Sequence, residues 1–178
     1  RERFVFGKWQ EHQATYAGKN IIQDPESFEV SMDQHEAILA NTCIIEIPAD
    51  VRRLGGDAKA PIALAQEARS QCGSLSWYAR ETRPDIAGDA AMIQTYFPEP
   101  IISQIQTINK VIKKIRDHRV VLRYQAVQDP RWLLSTDAGW ANTSGDEGSS
   151  TRSQCGWIVC LTDQRIEQGD ACIVNFIG

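Results

Sequence analysis

A chain of 178 residues, 42% hydrophobic and 24% charged, can bury one ordinary core or two small ones, and its composition is that of a folded protein rather than a disordered one. The longest unbroken apolar runs are only a few residues, which excludes a membrane-spanning helix in this stretch. The net charge of −4 is unevenly spread. Six basic residues (Lys110, Lys113, Lys114, Arg116, Arg119, Arg123) and one acid, Asp117, lie between Ile101 and Gln125, giving that segment +5 and leaving −9 for the rest. A basic patch on an acidic chain is what a nucleic-acid contact needs, and it is also what many solvated helices carry.

In chain order, Phe4-Val5-Phe6 and Ala14 to Gly18 are β-prone, and Asn20-Ile21-Ile22-Gln23 continues the second run. The cluster Asp24-Pro25-Glu26-Ser27 reads as a turn, and Phe28 to Met32 then alternates apolar and polar, so a hairpin is expected across Asp24 to Ser27. Ser31 with Gln34 forms a capping-box pattern that predicts a helix over Asp33 to Asn41. Pro48 and Gly55-Gly56 mark a loop. Pro61 fits the first turn of a helix to about Ala79. Thr82 then reads as the cap of the next helix, with Pro84 and Asp85 in its first turn and its end near Phe97-Pro98. After Pro100, the spacing of Ile101, Ile102, Ile105, Ile108, Val111, Ile112 and Ile115 defines one apolar helical stripe, with Lys110, Lys113 and Lys114 on a different face.

From Val120 the period shortens. Val120 to Tyr124, Trp132 to Ser135, Gly156 to Leu161 and Ala171 to Val174 read as strands, the last three joined as an antiparallel meander across a polar loop at Thr143 to Ser153 and a connector at Gln164 to Asp170. The five cysteines (43, 72, 155, 160, 172) form no Cys-x-x-Cys pair and stand beside no histidine, so they read as buried free thiols of a reducing compartment. His12, His35 and His118 are scattered, with no nucleophile setting. There is no Tyr-x-Asp-Asp or paired-aspartate strand and no Gly-rich phosphate loop.

The candidate chemistry sits in Leu133 to Asn142. An apolar strand runs into Asp137 and stops in small residues, which puts one carboxylate at the lip of a sheet, open to a metal ion or substrate. Two-metal phosphodiester cleavage needs several carboxylates converging on hard cations about 4 Å apart, so Asp137 alone is not a site. The plainer alternative is an aspartate that starts a turn at a strand end.

Gly73-Ser74-Leu75-Ser76-Trp77-Tyr78-Ala79-Arg80-Glu81-Thr82-Arg83-Pro84-Asp85-Ile86-Ala87 and Leu133 to Asn142, in this order, resemble the polymerase-to-RNase H junction of copia-type LTR retrotransposon polyproteins. More loosely, Tyr16-Ala17-Gly18, Ile21-Ile22 and Val30 to Gln34 resemble the end of a polymerase palm, and Ser153 to Trp157 and Asn175-Phe176 resemble the second and third strands of the nuclease sheet. Phe4 to Gly178 is covered, most closely from Gly73 to Asn142, and a polar insert after Asn142 departs from the pattern.

The resemblance implies an α+β chain with a palm-end β-hairpin, a helical thumb and connection, and an incomplete RNase H-like antiparallel sheet, over residues 1–47, 48–126 and 127–178. It implies Asp137 as a catalytic magnesium ligand, and the family's further glutamate and aspartate ligands fall beyond this stretch. Tyr16 and Gly18 would grip a primer terminus, the glycine letting its backbone approach the nucleic acid. Lys110, Lys113 and Lys114 would track a duplex backbone. Arg83 could bind phosphate, although a purely architectural role for Thr82 to Ile86 fits the residues better. The implied partners are an RNA–DNA hybrid or primer-template duplex and the remainder of the polyprotein, with no membrane, and the implied setting is intracellular: cytoplasm or nucleus, in virus-like particles for the parent element. The start Arg1-Glu2-Arg3-Phe4 lacks a Met and the chain stops on a strand pattern, so both ends read as cut and the isolated piece is expected to be inactive. A non-enzymatic nucleic-acid-binding relic and a structural or protein-interaction fragment are the alternatives.

Overall fold

In a computed structural model of the chain, residues 10–143, 152–169 and 173–177 are described. They fold as α+β with two sheets, and backbone contacts divide the chain into two units, residues 1–23 with 31–122 and residues 24–30 with 123–178. The expected strand at Phe4-Val5-Phe6 lies outside the described residues, as does most of the loop expected at Thr143 to Ser153.

In the first unit, β1 (Gln13–Tyr16), β2 (Lys19–Gln23) and β3 (Val30–Asp33) lie side by side in that order. Tyr16 pairs with Lys19 across an antiparallel ladder, so Ala17 and Gly18 alone make the turn, with φ of 49° and 71°. Positive φ at both central residues suits a two-residue hairpin, because that turn matches the twist of the strands. The single β-run read there from sequence is therefore two strands. Ala-Gly lacks the side-chain signal of Asn-Gly or Asp-Gly.

Helix α1 (His35–Asn41) starts later than the capping-box pattern predicts. Ser31 is held in β3, and no side chain caps the helix; the nearest local bond is from the His35 N–H to Asp33 Oδ1 at 3.0 Å. An extended segment leads to the single-turn α2 (Ala49–Arg52). Along it, Asn109 acts like a strand partner: its Oδ1 accepts from Ile45 N–H and its Nδ2 donates to Ile45 C=O, both at 2.8 Å.

Helix α3 (Ile62–Glu81) and helix α5 (Ile102–Asp117) carry the core. Leu64, Ala68, Cys72, Leu75 and Tyr78 of α3 are buried with Ile102, Ile105, Ile108, Val111, Ile112 and Ile115 of α5. Each fully buried isoleucine contributes about 1.5–3 kcal/mol over an exposed one, so the stripe read from sequence is the main source of cohesion. Ile38, Ile45, Ile47, Ile86 and Ile93 complete the cluster.

Between the long helices, Thr82 does not cap a following helix. It ends α3, is buried, and donates from Oγ1 to Gln34 Oε1 at 2.8 Å, while Gln34 Nε2 donates to Ala17 C=O at 3.2 Å. Pro84–Ile86 form a single 3-10 turn, and α4 (Ala87–Gln94) ends before Phe97-Pro98. Arg83, 1% exposed, grips Asp85 through Nε (2.8 Å) and Nη2 (2.9 Å), and its Nη1 donates to the carbonyls of Ile115 and His118 at 3.0 Å each. Thus Thr82 and Arg83 join the hairpin turn, the start of α1 and the end of α5.

Strand β4 (Leu122–Tyr124) lies where the chain passes from the first unit to the second. The second unit includes the turn expected at Asp24 to Ser27, held by Asp24 Oδ1, which accepts from the N–H groups of Glu26 and Ser27 at 2.9 and 2.7 Å. Its sheet is the expected antiparallel meander, β5 (Pro130–Thr143), β6 (Arg152–Asp163) and β7 (Val174–Phe176) in that order. A 3-10 turn, Gln164–Gln168, connects β6 onward. Asn175 ties this sheet to Gln125, donating to its C=O at 2.9 Å and accepting from its N–H at 3.0 Å. Register places Trp132, Leu134, Trp157, Val159 and Leu161 on one face and Leu133, Ser135, Asp137, Ile158 and Cys160 on the other. Trp132, Leu134 and Trp157 are 70, 62 and 65% exposed.

Replacing Arg83 with Ala is expected to lower the stability of the chain by about 2–4 kcal/mol, since it strips the buried Ile115 carbonyl, the partly buried His118 carbonyl and the Asp85 carboxylate of the Arg83 donors. Arg83→Lys is expected to restore little, because one ammonium cannot supply the two-pronged geometry. Urea denaturation followed by tryptophan fluorescence measures both; a loss below about 1 kcal/mol would contradict the clamp.

Candidate functional site

Asp137 does not end its strand. β5 continues to Thr143, Asp137 faces Gly156 across the ladder, and Ala138 and Gly139 pair with Cys155 and Gln154. Small residues extend a strand when the opposite ladder keeps bonding; the register shift comes only after Gly139, where a glycine admits a bulge. The carboxylate is exposed, on the face shared with Leu133, Ser135, Ile158 and Cys160. Among the described residues no group of three or more His, Cys, Asp or Glu side chains could hold a metal ion. A single carboxylate on this face does not fit a two-metal centre, and no metal-assisted step follows from the residues present.

The hairpin residues part ways. Tyr16 is largely exposed, with the Lys19 ammonium 5.9 Å from its ring centroid, and Lys19 is also paired with Glu81. Gly18 uses its bareness internally: a Cβ there would lie 2.9 Å from Ala37 Cβ on α1. The glycine thus allows a close approach to the protein's own helix, a contact that sequence spacing does not reveal.

Lys110, Lys113 and Lys114 are all exposed on α5, but they are not equivalent. Lys114 donates to Asp85 C=O at 3.1 Å and lies 3.5 Å from Asp89 and 4.0 Å from Asp85. The Arg83 fork holds the Asp85 carboxyl below its usual range against the opposing effect of burial, with Lys114 adding to it. Arg116 binds the carbonyls of Leu39 and Thr42 at the end of α1, a favourable place for a cation. Arg119 donates to Asp33 Oδ2 at 2.7 Å; burial raises the Asp33 carboxyl, but this bond and the His35 N–H outweigh it and leave it lowered. Arg123 pairs with Glu29 at 3.3 Å. Four of the six basic residues therefore have partners within the protein, leaving Lys110 and Lys113 as the cations of the segment with no hydrogen-bond or ion-pair partner among the described residues.

Arg83, a possible phosphate ligand by sequence, has its guanidinium buried and bonded to protein acceptors. The cysteines divide: Cys72 and Cys160 are buried as expected, whereas Cys43 and Cys155 are exposed, and Cys172 lies outside the described residues. Cys155 sits on the open face of the sheet, and the Cys43 sulfur accepts from Gln71 Nε2 at 3.4 Å. No described helix is long and apolar enough to cross a membrane. The polar anchors Gln34, Asn109 and Asn175 were not legible in the sequence, since their partners are backbone or side-chain groups distant in the chain.

No family model, curated protein or solved structure matches this chain.

Gly18→Ala is expected to cost about 1–3 kcal/mol, from the positive φ and the crowding against Ala37 together. Unchanged denaturation midpoints would contradict the packing role. The strongest electrostatic feature of the second unit is Asp163, whose carboxylate accepts from Arg165 N–H, Nε and Nη2 at 3.0, 2.9 and 2.5 Å. Those bonds, the Arg165 side chain first, bring it from 3.8 to about 2 although burial opposes them. A carboxyl depressed on folding adds stability above its unfolded value, and that stability is lost as pH falls through the folded value. The second unit is therefore expected to weaken as pH falls from 3.8 to about 2. An NMR titration of the Asp163 carboxyl is expected to give a midpoint near 2; an ordinary value would overturn the assignment.

Proposed function

We propose that this chain is part of a copia-type retrotransposon polyprotein at the junction of its reverse transcriptase and RNase H. The parent activity is RNA-directed DNA synthesis with cleavage of the RNA–DNA hybrid, and the isolated chain is inactive. Element order carries this reading: a short β-hairpin, a helical body ending in the basic amphipathic helix α5, then an antiparallel meander with Asp137 on its first strand. The same order is implied by the Gly73 to Ala87 and Leu133 to Asn142 segments. In this reading α5 follows a duplex backbone without reading sequence, through Lys110 and Lys113. Asp137 is one ligand of a magnesium site completed by carboxylates outside this chain, and the sheet is the opening part of an RNase H-like domain.

A second reading, a structural or interaction fragment, is favoured by the internal pairing of Lys114, Arg116, Arg119 and Arg123, which leaves a weak electrostatic footprint. Binding of the chain to an RNA–DNA hybrid across a salt series separates the two. Lys110→Glu with Lys113→Glu is expected to weaken binding and to reduce the salt slope by roughly 2, about one for each phosphate no longer neutralised. Lys114→Glu is left out of the variant because it also releases Asp85 and Asp89. Unaltered affinity and slope would leave the structural reading standing, and magnesium-dependent hydrolysis by the wild-type chain would refute its inactivity.

A further inference from the structure

We propose that the outer edge of β5 is a self-complementary strand-addition site, through which two copies of this chain pair antiparallel about a two-fold axis at Leu134. The inference uses the second sheet alone; it does not rest on the functional reading above and makes a different use of Asp137, since a carboxylate paired with Arg131 of a second copy is not free for a metal ion. β5 lies at one end of the β5-β6-β7 order, so among the described residues one side of this 14-residue strand has no strand beside it in its sheet.

Which backbone groups face that side follows from alternation. Ile177 N–H donates to Val159 C=O at 2.8 Å, so the odd-numbered groups of β6 face β7 and the even-numbered ones face β5. Cys160 is opposite Leu133 and Ile158 opposite Ser135, so the odd-numbered groups of β5 bond to β6. Trp132, Leu134, Thr136 and Ala138 therefore direct their N–H and C=O groups to the open edge, and Pro130, with no N–H, stands at its start.

Edge strands are usually blunted by lysines, internal prolines or bulges, and Pro130 to Ala138 has none of these after its first residue. Its two charges instead make it fit itself. With Leu134 opposite Leu134 of a second copy, Trp132 meets Thr136, Leu133 meets Ser135, and Arg131 meets Asp137, twice by symmetry. The even-numbered pairs exchange backbone hydrogen bonds. The Arg131–Asp137 pairs fall at non-hydrogen-bonded positions, where strands bring Cα atoms to about 4.5 Å and side chains approach most closely. A shift of register by two residues would break both ion pairs. Asp137 has no hydrogen-bond or ion-pair partner among the described residues, and Arg131 uses Nε for Glu167 at 2.6 Å and Nη1 for backbone carbonyls, leaving Nη2 for a second carboxylate. Pairing would also cover part of Trp132 and Leu134, which the chain leaves open to solvent.

Sedimentation velocity of the 178-residue chain across a concentration series tests this, with circular dichroism to verify the fold of each variant. A reversible dimer is expected. Asp137→Arg alone and Arg131→Asp alone are each expected to weaken it about tenfold, since like charges then face at both crossings, and the two changes combined are expected to restore it. A chain that is monomeric throughout the series, or a dimer indifferent to the single reversals, overturns the proposal, as does a double variant no better than the worse single one.

Discussion

The guanidinium of Arg83 is the constraint on which the helical unit depends. It occupies the break between α3 and α4 and reaches the last carbonyls of α5, so three helix ends meet at one buried charge. Burying a cation is costly unless it is paired and its donors are all used, and Asp85 supplies the pairing from two residues away. The Thr82 hydroxyl, one residue earlier, carries the connection through Gln34 to the turn of the β1–β2 hairpin. A short polar segment thereby sets the positions of elements that the apolar core alone would hold together without fixing their ends.

The same demand for internal partners reduces what the basic segment offers to nucleic acid. A cluster of like charges on one helix repels itself unless acids or carbonyls are placed among them, and here Asp33, Asp85, Asp89, Glu29 and the end of α1 take those places. Four of six cations thus serve folding first. The functional reading then rests on Lys110 and Lys113 together with the order of elements, and not on the segment's total charge.

The two units differ in how they use apolar residues. In the first, isoleucines on α5 are enclosed by α3 and the segment around Ile45. In the second, Trp132, Leu134, Trp157 and Ile158 of β5 and β6 stand in the open on a sheet whose two faces both carry apolar side chains. Apolar side chains on both faces suit a sheet that is covered on both sides, and an unprotected edge strand invites further pairing.

Much of the fold was legible in the residues alone. The three- and four-residue spacing along α5 gave both its span and its buried face, because one element by itself decides which residues share a stripe. Period-two runs gave the meander for the same reason. Ser31 and Thr82 look like helix caps in the sequence and are not, since a hydroxyl near a helix is a cap only if the chain leaves it free, and here β3 holds Ser31 and Gln34 accepts from Thr82. From sequence Asp137 reads as a strand end because small residues follow it; whether a strand stops is decided by what bonds to it from β6, which lies beyond a loop. Likewise the glycine at 18 announced a turn, but only the packing of α1 shows what fills the space beside it. Local periodicity determined the elements and their apolar faces. Tertiary structure alone decided which polar groups are spent inside the molecule, because a hydrogen bond between residues far apart in the chain leaves no periodic trace in the sequence.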